Sequence, residues 1–213
     1  MDMARVLRRI DEARLVAVVR ARTTDQARLA ARAVMEAGFC LVEITFTVPD
    51  APHLIEEMVG EAPGGTTIGA GSVTNVEQAK LAIGAGAGFV VSPIKQLDLV
   101  RVCHQVGVPC ILGALTPTEV VEAYRAGADQ VKVFPVGLVG GPRYLQQLLG
   151  PLPGLPVMAS GGVNLGNFRE YLAAGARSLA LGSDLLNPAW MEAGNHEAII
   201  QRAQEYLRAL TGE

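Results

Sequence analysis

Short runs of branched apolar residues alternate along this chain with longer segments whose apolar positions recur at helical spacing. A glycine marks many of the junctions. The phrase recurs as Gly38-Phe-Cys-Leu-Val-Glu43, Gly86-Ala-Gly-Phe-Val-Val91, Gly107-Val-Pro-Cys-Ile-Leu112, Gly127-Ala-Asp-Gln-Val-Lys132 and Gly175-Ala-Arg-Ser-Leu-Ala180. Glycine is the residue expected just past a helix, because it takes the left-handed conformation without a Cβ clash. The runs that follow read as strands, and Leu15–Arg20, Thr66–Val73 and Leu155–Gly161 read as three more without the glycine opening. Between them, the segment opening at Thr24 places Ala27, Leu29, Ala30, Ala33 and Val34 on one broad face, with Thr24 as its expected cap. Thr116-Pro-Thr-Glu119 carries a capping threonine, a first-turn proline and a glutamate at capping-box spacing.

Continuous apolar strands between helices imply a parallel sheet covered on both faces. Eight such units fit either an open doubly wound sheet or a closed (β/α)8 TIM barrel. Even spacing and the absence of a Gly-x-Gly-x-x-Gly dinucleotide fingerprint favour the barrel. No linker or low-complexity tract divides residues 1–213, so one domain is expected. The first segment, with Val6, Leu7 and Ile10, fits a plug for the barrel floor or a solvated terminal helix.

Composition narrows the classes. Of 213 residues, 50% are hydrophobic and only 18% charged, which excludes a disordered chain. Net charge is −3 and the isoelectric point about 5.7, without the basic footprint of a nucleic-acid binder. Mean hydropathy is +0.29, yet no apolar run approaches the roughly 20 residues of a spanning helix, so no membrane association is expected. The first residues lack the apolar core of a targeting peptide. Cys40, Cys103 and Cys110 show neither metal nor redox spacing, as expected of reduced thiols in the cytoplasm.

Barrel enzymes carry their chemistry at the C-terminal ends of the strands. Two ionisable residues fall there five positions after a repeat glycine, Glu43 and Lys132. Equal offset suggests equal orientation, and charges rarely occupy such interiors unless paired or used. A buried ion pair, or a lysine reaching out to water, is the alternative to a catalytic pair. In the catalytic reading, desolvation favours a neutral lysine amine able to attack a carbonyl and form an imine, with a carboxylate as general acid/base. The other lysines, Lys80 and Lys95, fall in helix or loop contexts. Ser160-Gly161-Gly162 and Gly182-Ser183 close the last two strands, where bare amides make the usual phosphate site of these barrels; a tight turn alone would also use Gly-Gly. His53, His104 and His196 are scattered away from strand ends, so neither a metal site nor a histidine-activated nucleophile is expected.

Taken in order, Leu41-Val-Glu43-Ile-Thr45, Gly69-Ala-Gly-Ser-Val73, Val91-Ser-Pro93, Val131-Lys-Val-Phe-Pro135, Ser160-Gly-Gly-Val163 and Leu181-Gly-Ser-Asp-Leu185 resemble the 2-keto-3-deoxy-6-phosphogluconate / 4-hydroxy-2-oxoglutarate aldolase family, from about Leu15 to Leu186. The resemblance implies a cofactor-free and metal-free class I aldolase on a (β/α)8 barrel, commonly a homotrimer. It makes Lys132 the imine-forming residue and Glu43 the proton shuttle. Gly161, Gly162, Gly182 and Ser183 would hold phosphate, and Gly71, Ser72 and Thr74 the substrate carboxylate, with Pro93 and Phe134 also lining the site. Gluconate-type members carry an arginine four residues after the glutamate, where this chain has Thr47. Arg20 instead ends the first strand, which is similar to the 2-keto-3-deoxy-6-phosphogalactonate branch, as are Gly141-Pro-Arg-Tyr144 and Gly182-Ser-Asp-Leu185. Ser72 stands where threonine is usual. Two other functions fit less of the pattern: a phosphosugar isomerase or epimerase using Glu43 as base, and a lapsed barrel acting as a scaffold.

Overall fold

The computed structural model describes residues 2–212. Met1 and Glu213, the outermost residues of the span expected to form one domain, lie outside them. Eight parallel strands close in sequence order into a barrel. They are β1 (Leu15–Val19), β2 (Leu41–Thr45), β3 (Thr67–Gly71), β4 (Val90–Val91), β5 (Cys110–Ala114), β6 (Gln130–Val133), β7 (Val157–Ser160) and β8 (Ser178–Leu181). The helices are α1 (Met3–Ala13), α2 (Thr24–Glu36), α3 (Ala51–Glu61), α4 (Val76–Gly84), α5 (Asp98–His104), α6 (Pro117–Arg125), α7 (Gly141–Leu149), α8 (Phe168–Ala173), α9 (Pro188–Glu192) and α10 (His196–Thr211). The (β/α)8 TIM barrel expected from the repeat is the fold. Among the described residues, no helix is long and apolar enough to cross a membrane.

Alternation along each strand sorts side chains into two cores. One set, including Ala17, Val19, Val42, Ile44, Val131 and Val133, packs outward beneath the helices. The other set, Val16, Val18, Leu41, Phe89, Val91, Ile111, Met158 and Ala180, fills the barrel itself together with Val6 and Ile10 of α1. The first segment is therefore a plug, with Leu7 half-buried at its edge. Asp2 caps α1 by accepting from the amides of Ala4 and Arg5. Polar ties hold the plug to the strand beginnings: Arg9 donates to Thr67 at 2.6 Å, and Asp11 pairs with Arg177.

Offset from the repeat glycine predicts orientation with one exception. Val91 and Ala180 point inward as Glu43 and Lys132 do, whereas Leu112 of the Gly107 unit packs outward. The cap of α2 is Thr23, not Thr24: Thr23 is extended and accepts from the Gln26 amide, while Thr24 donates to the Pro49 carbonyl. Thr116 and Glu119 form the reciprocal capping box on α6.

Candidate active site

A cleft of about 830 Å3 opens at the C-terminal ends of the strands, within the size range of small-molecule sites. Lys132 rises into it from β6 and is 6% exposed. Glu43 of β2 lies beneath, fully buried, with its Oε1 3.5 Å from the Lys132 ammonium nitrogen. Neither carboxylate oxygen has a hydrogen-bond partner among the described residues. A buried polar group is normally satisfied, so the acid stands with its lone pairs uncommitted beside the one amine it can reach. Lys132 also lies 6.0 Å from the centre of the Phe134 ring.

Gly71 explains how so large a carboxyl group fits there. It shares a register position with Thr45 on β2, and a Cβ built on it would lie 1.9 Å from Glu43 Oε1. Gly71 does not line the cleft. Its missing side chain is the space the carboxylate occupies, and its carbonyl accepts from the Phe46 amide at 2.8 Å.

Arg20, just past β1, sits at the cleft wall with Ser72 and Thr47. Its guanidinium donates to Thr47 Oγ1 and to Ser72 Oγ, each at 3.0 Å. Thr45 donates to the Val19 carbonyl at 3.1 Å and lies 2.8 Å from Thr47 Oγ1. The Thr45 proton being used on Val19, Thr47 donates to Thr45 while accepting from Arg20. Thr47 therefore anchors an arginine carried by the neighbouring strand. Ser72 has φ of 55°, an uncommon conformation for a residue with a side chain and one that clusters at functional sites. Thr74 lines the cleft, but its amide and hydroxyl both point at Gln78 Oε1, at 2.8 and 3.1 Å.

Gly161, Gly162, Gly182, Ser183, Pro93 and Phe134 all line the same cleft. Gly161 and Gly162 have φ of 85° and 87°, so the turn after β7 needs glycine twice. Ser160, Asn164 and Asp184 line it too, unassigned by sequence reasoning although Ser160 and Asp184 lie inside the quoted motifs. Lys80 is exposed and Lys95 pairs with Glu122, both away from the cleft. Among the described residues, no three His, Cys, Asp or Glu side chains are grouped to hold a metal ion.

A buried strand-borne lysine over a buried carboxylate, in a barrel with a glycine-rich rim, can be compared with known proteins. The family model described as KDPG and KHG aldolase matches residues 6–202. The chain belongs to this family. It is 37% identical to a probable 2-dehydro-3-deoxy-6-phosphogalactonate aldolase of Rhizobium meliloti (strain 1021), across 92% of this chain and 90% of the relative. A solved structure described as native KDPGal matches with a TM-score of 0.84 and 32% identity, covering 93% of this chain and 94% of the other. The KDPG aldolase of Legionella pneumophila, with pyruvate captured at low pH as a covalent carbinolamine intermediate, matches with a TM-score of 0.82 and 26% identity, covering 90% of this chain and 92% of the other. The family members are aldolases, and membership makes this chain an aldehyde-lyase rather than an isomerase or a scaffold.

Proposed function

We propose that this family member is a class I aldolase that cleaves a 2-keto-3-deoxy-6-phospho sugar acid to pyruvate and glyceraldehyde 3-phosphate. The carrying observation is Lys132, almost fully buried at the cleft floor and 3.5 Å from the buried Glu43 carboxylate. The neutral Lys132 amine attacks C2 of the keto acid, and loss of water leaves an iminium. The cation lies next to C3, so breaking C3–C4 sends its electron pair into an enamine instead of a bare carbanion. A base must take the C4 hydroxyl proton as the aldehyde forms. Glu43 does not line the cleft, so that proton reaches it through a bridging water. Glu43 then returns the proton to C3 of the enamine. Hydrolysis of the resulting iminium releases pyruvate and restores the amine.

Arg20 holds the substrate carboxylate in this reading, steered by Thr47 and Ser72, with the amides at Gly161, Gly162, Gly182 and Ser183 around the phosphate. An arginine reaching Thr47 from β1 supports the galactonate configuration at C4. Unphosphorylated 4-hydroxy-2-oxoglutarate, giving pyruvate and glyoxylate, is a second substrate. Self-association as a homotrimer belongs to the same reading: Ile94, Leu97, Phe134, Leu138 and Val139 expose apolar surface beyond the ends of β4 and β6, and such patches mark interfaces. Cytoplasmic placement rests on the free thiols of Cys40, Cys103 and Cys110.

Pyruvate with borohydride tests the central step. A stable adduct is expected on the peptide containing Lys132, and Lys132→Ala should abolish both adduct and turnover. An unmodified mass, or a Lys132→Arg variant that keeps most activity, would overturn the mechanism, because arginine keeps the charge but forms no imine.

A further inference from the structure

The phosphate end of the cleft carries an unexpected charge. Among the described residues the cations that line the cleft are Arg20 and Lys132, which the reading above assigns to the carboxylate and the imine, whereas Asp184 adds a carboxylate beside Gly182 and Ser183. A cradle without its own cation depends on the direction of its backbone amides, because a fixed dipole stabilises an anion only when it points at it. Whatever fixes those amides therefore governs affinity.

Asp184 touches the elements that form the cradle. Its Oδ2 accepts from the Tyr206 hydroxyl of α10 at 2.6 Å and from the Leu165 amide in the β7–α8 loop at 3.3 Å. Arg202, also on α10, lies 3.7 Å from the same oxygen. Burial, then the bond and charge of Asp184, push the Tyr206 phenol above its ordinary range, so it remains a donor. The Tyr206 ring meets Phe168, the first residue of α8, edge to face with centroids 5.6 Å apart. Inside the loop, Asn167 donates to the Gly162 carbonyl at 3.0 Å and accepts from the Asn164 amide at 2.8 Å. The Gly161-Gly162 turn is thus tied to the loop by Asn167, and the loop is tied to the end of β8 by Asp184.

We propose that Asp184 is a positioning residue for the phosphate group: its Oδ2 ties the β7–α8 loop to the end of β8 and α10, and so aims the glycine amides at the anion. This rests on the aldolase reading above only for the identity of the anion. All the bonds converge on Oδ2, so the role needs an acceptor there and not a negative charge. An asparagine can place its amide oxygen in that position, whereas alanine cannot.

Glycerol 3-phosphate carries the phosphate end of the aldehyde product without its carbonyl, and its affinity can be measured by calorimetry. Asp184→Ala should weaken binding by about tenfold or more, the scale of losing hydrogen bonds to a charged acceptor. Asp184→Asn should stay within about threefold of wild type, and Tyr206→Phe should fall between, because it removes one donor and keeps the ring against Phe168. Borohydride trapping of pyruvate on Lys132 should be equal in all four proteins, since pyruvate carries no phosphate for the cradle to hold. An alanine variant within about threefold of wild type, or an asparagine variant as weak as alanine, would overturn the proposal. A wild-type chain that traps no pyruvate counts against the aldolase reading, while the binding comparison still decides the role of Asp184.

Discussion

Adding one methyl group at Gly71 should disable this enzyme without unfolding it. Gly71 has no left-handed φ, so its backbone accepts alanine. The new Cβ would lie 1.9 Å from Glu43 Oε1, 2.5 Å from Cδ and 2.6 Å from Cγ. Ordinary contact begins near 3.4 Å, so the carboxylate oxygen must retreat by about 1.5 Å, a large shift in an interior packed to crystal density. That displacement is large against the 3.5 Å that separates Oε1 from Lys132. A misplacement of about 1 Å costs on the order of a hundredfold in rate, and a general acid/base contributes about 10²–10⁴. At 1.36 kcal/mol per decade, the expected loss in kcat/KM corresponds to about 3–5 kcal/mol of transition-state stabilisation. Overpacking costs about 1–3 kcal/mol of stability, which a barrel of ordinary stability withstands. Pyruvate release coupled to a dehydrogenase gives the rate, and a urea melt checks the fold. Combining Gly71→Ala with Glu43→Gln should be no worse than Glu43→Gln alone, because both act through one carboxylate. Turnover of Gly71→Ala within about tenfold of wild type, or multiplying losses in the double variant, would refute the reasoning.

The other expectations concern recognition, stability and pH. Arg20→Ala should raise KM for the keto acid by about tenfold or more with a smaller change in kcat, and Thr47→Ala should raise it less, because Ser72 still receives one guanidinium bond; initial-rate kinetics separate the two. Ile10→Ala removes a fully buried side chain from the barrel floor and should cost about 2–5 kcal/mol in a denaturant melt, with KM unchanged. The Thr116 and Leu115 amides hold the Glu119 carboxyl below its ordinary value of 4.5. A group lowered on folding stabilises the protein above its unfolded value and loses that contribution as pH falls through the folded one. Acid melts of Glu119→Gln should therefore show less loss of stability below about pH 4.5 than wild type, and an unchanged acid limb would contradict this.

The sequence made the barrel and the buried Lys132–Glu43 pair legible for the same reason. In five of the units a glycine ends the helix, a short strand follows, and alternation then places Glu43 and Lys132 inside. The exception, Leu112, lies on a strand that begins three residues after its glycine, as in the Gly38, Gly127 and Gly175 units, so turn length does not account for it. Arg20 and the rim glycines were legible as strand ends. Gly71 was visible as a site residue, but its service as clearance was not, because the carboxylate it admits stands on another strand. Thr74 was placed beside the substrate by the resemblance, and its bonds to Gln78 were not legible because they depend on how the next helix starts. Asp184 could be quoted in a motif without a role, since Tyr206 and Leu165 reach it from distant parts of the chain. Thr23 and Thr24 are adjacent and equally able to cap, and only the backbone decides between them.

The plug formed by α1 has a consequence for how such a chain can change over evolutionary time. Val6, Ile10 and the Asp11–Arg177 tie strengthen one end of the barrel, and the candidate site occupies the other. New substrate preferences arise by altering loops, and altered loops usually cost stability. A reserve held at the floor can absorb that cost without touching the chemistry. In laboratory evolution, improving the packing of α1 first should widen the range of loop variants around Arg20 and Asn164 that still fold.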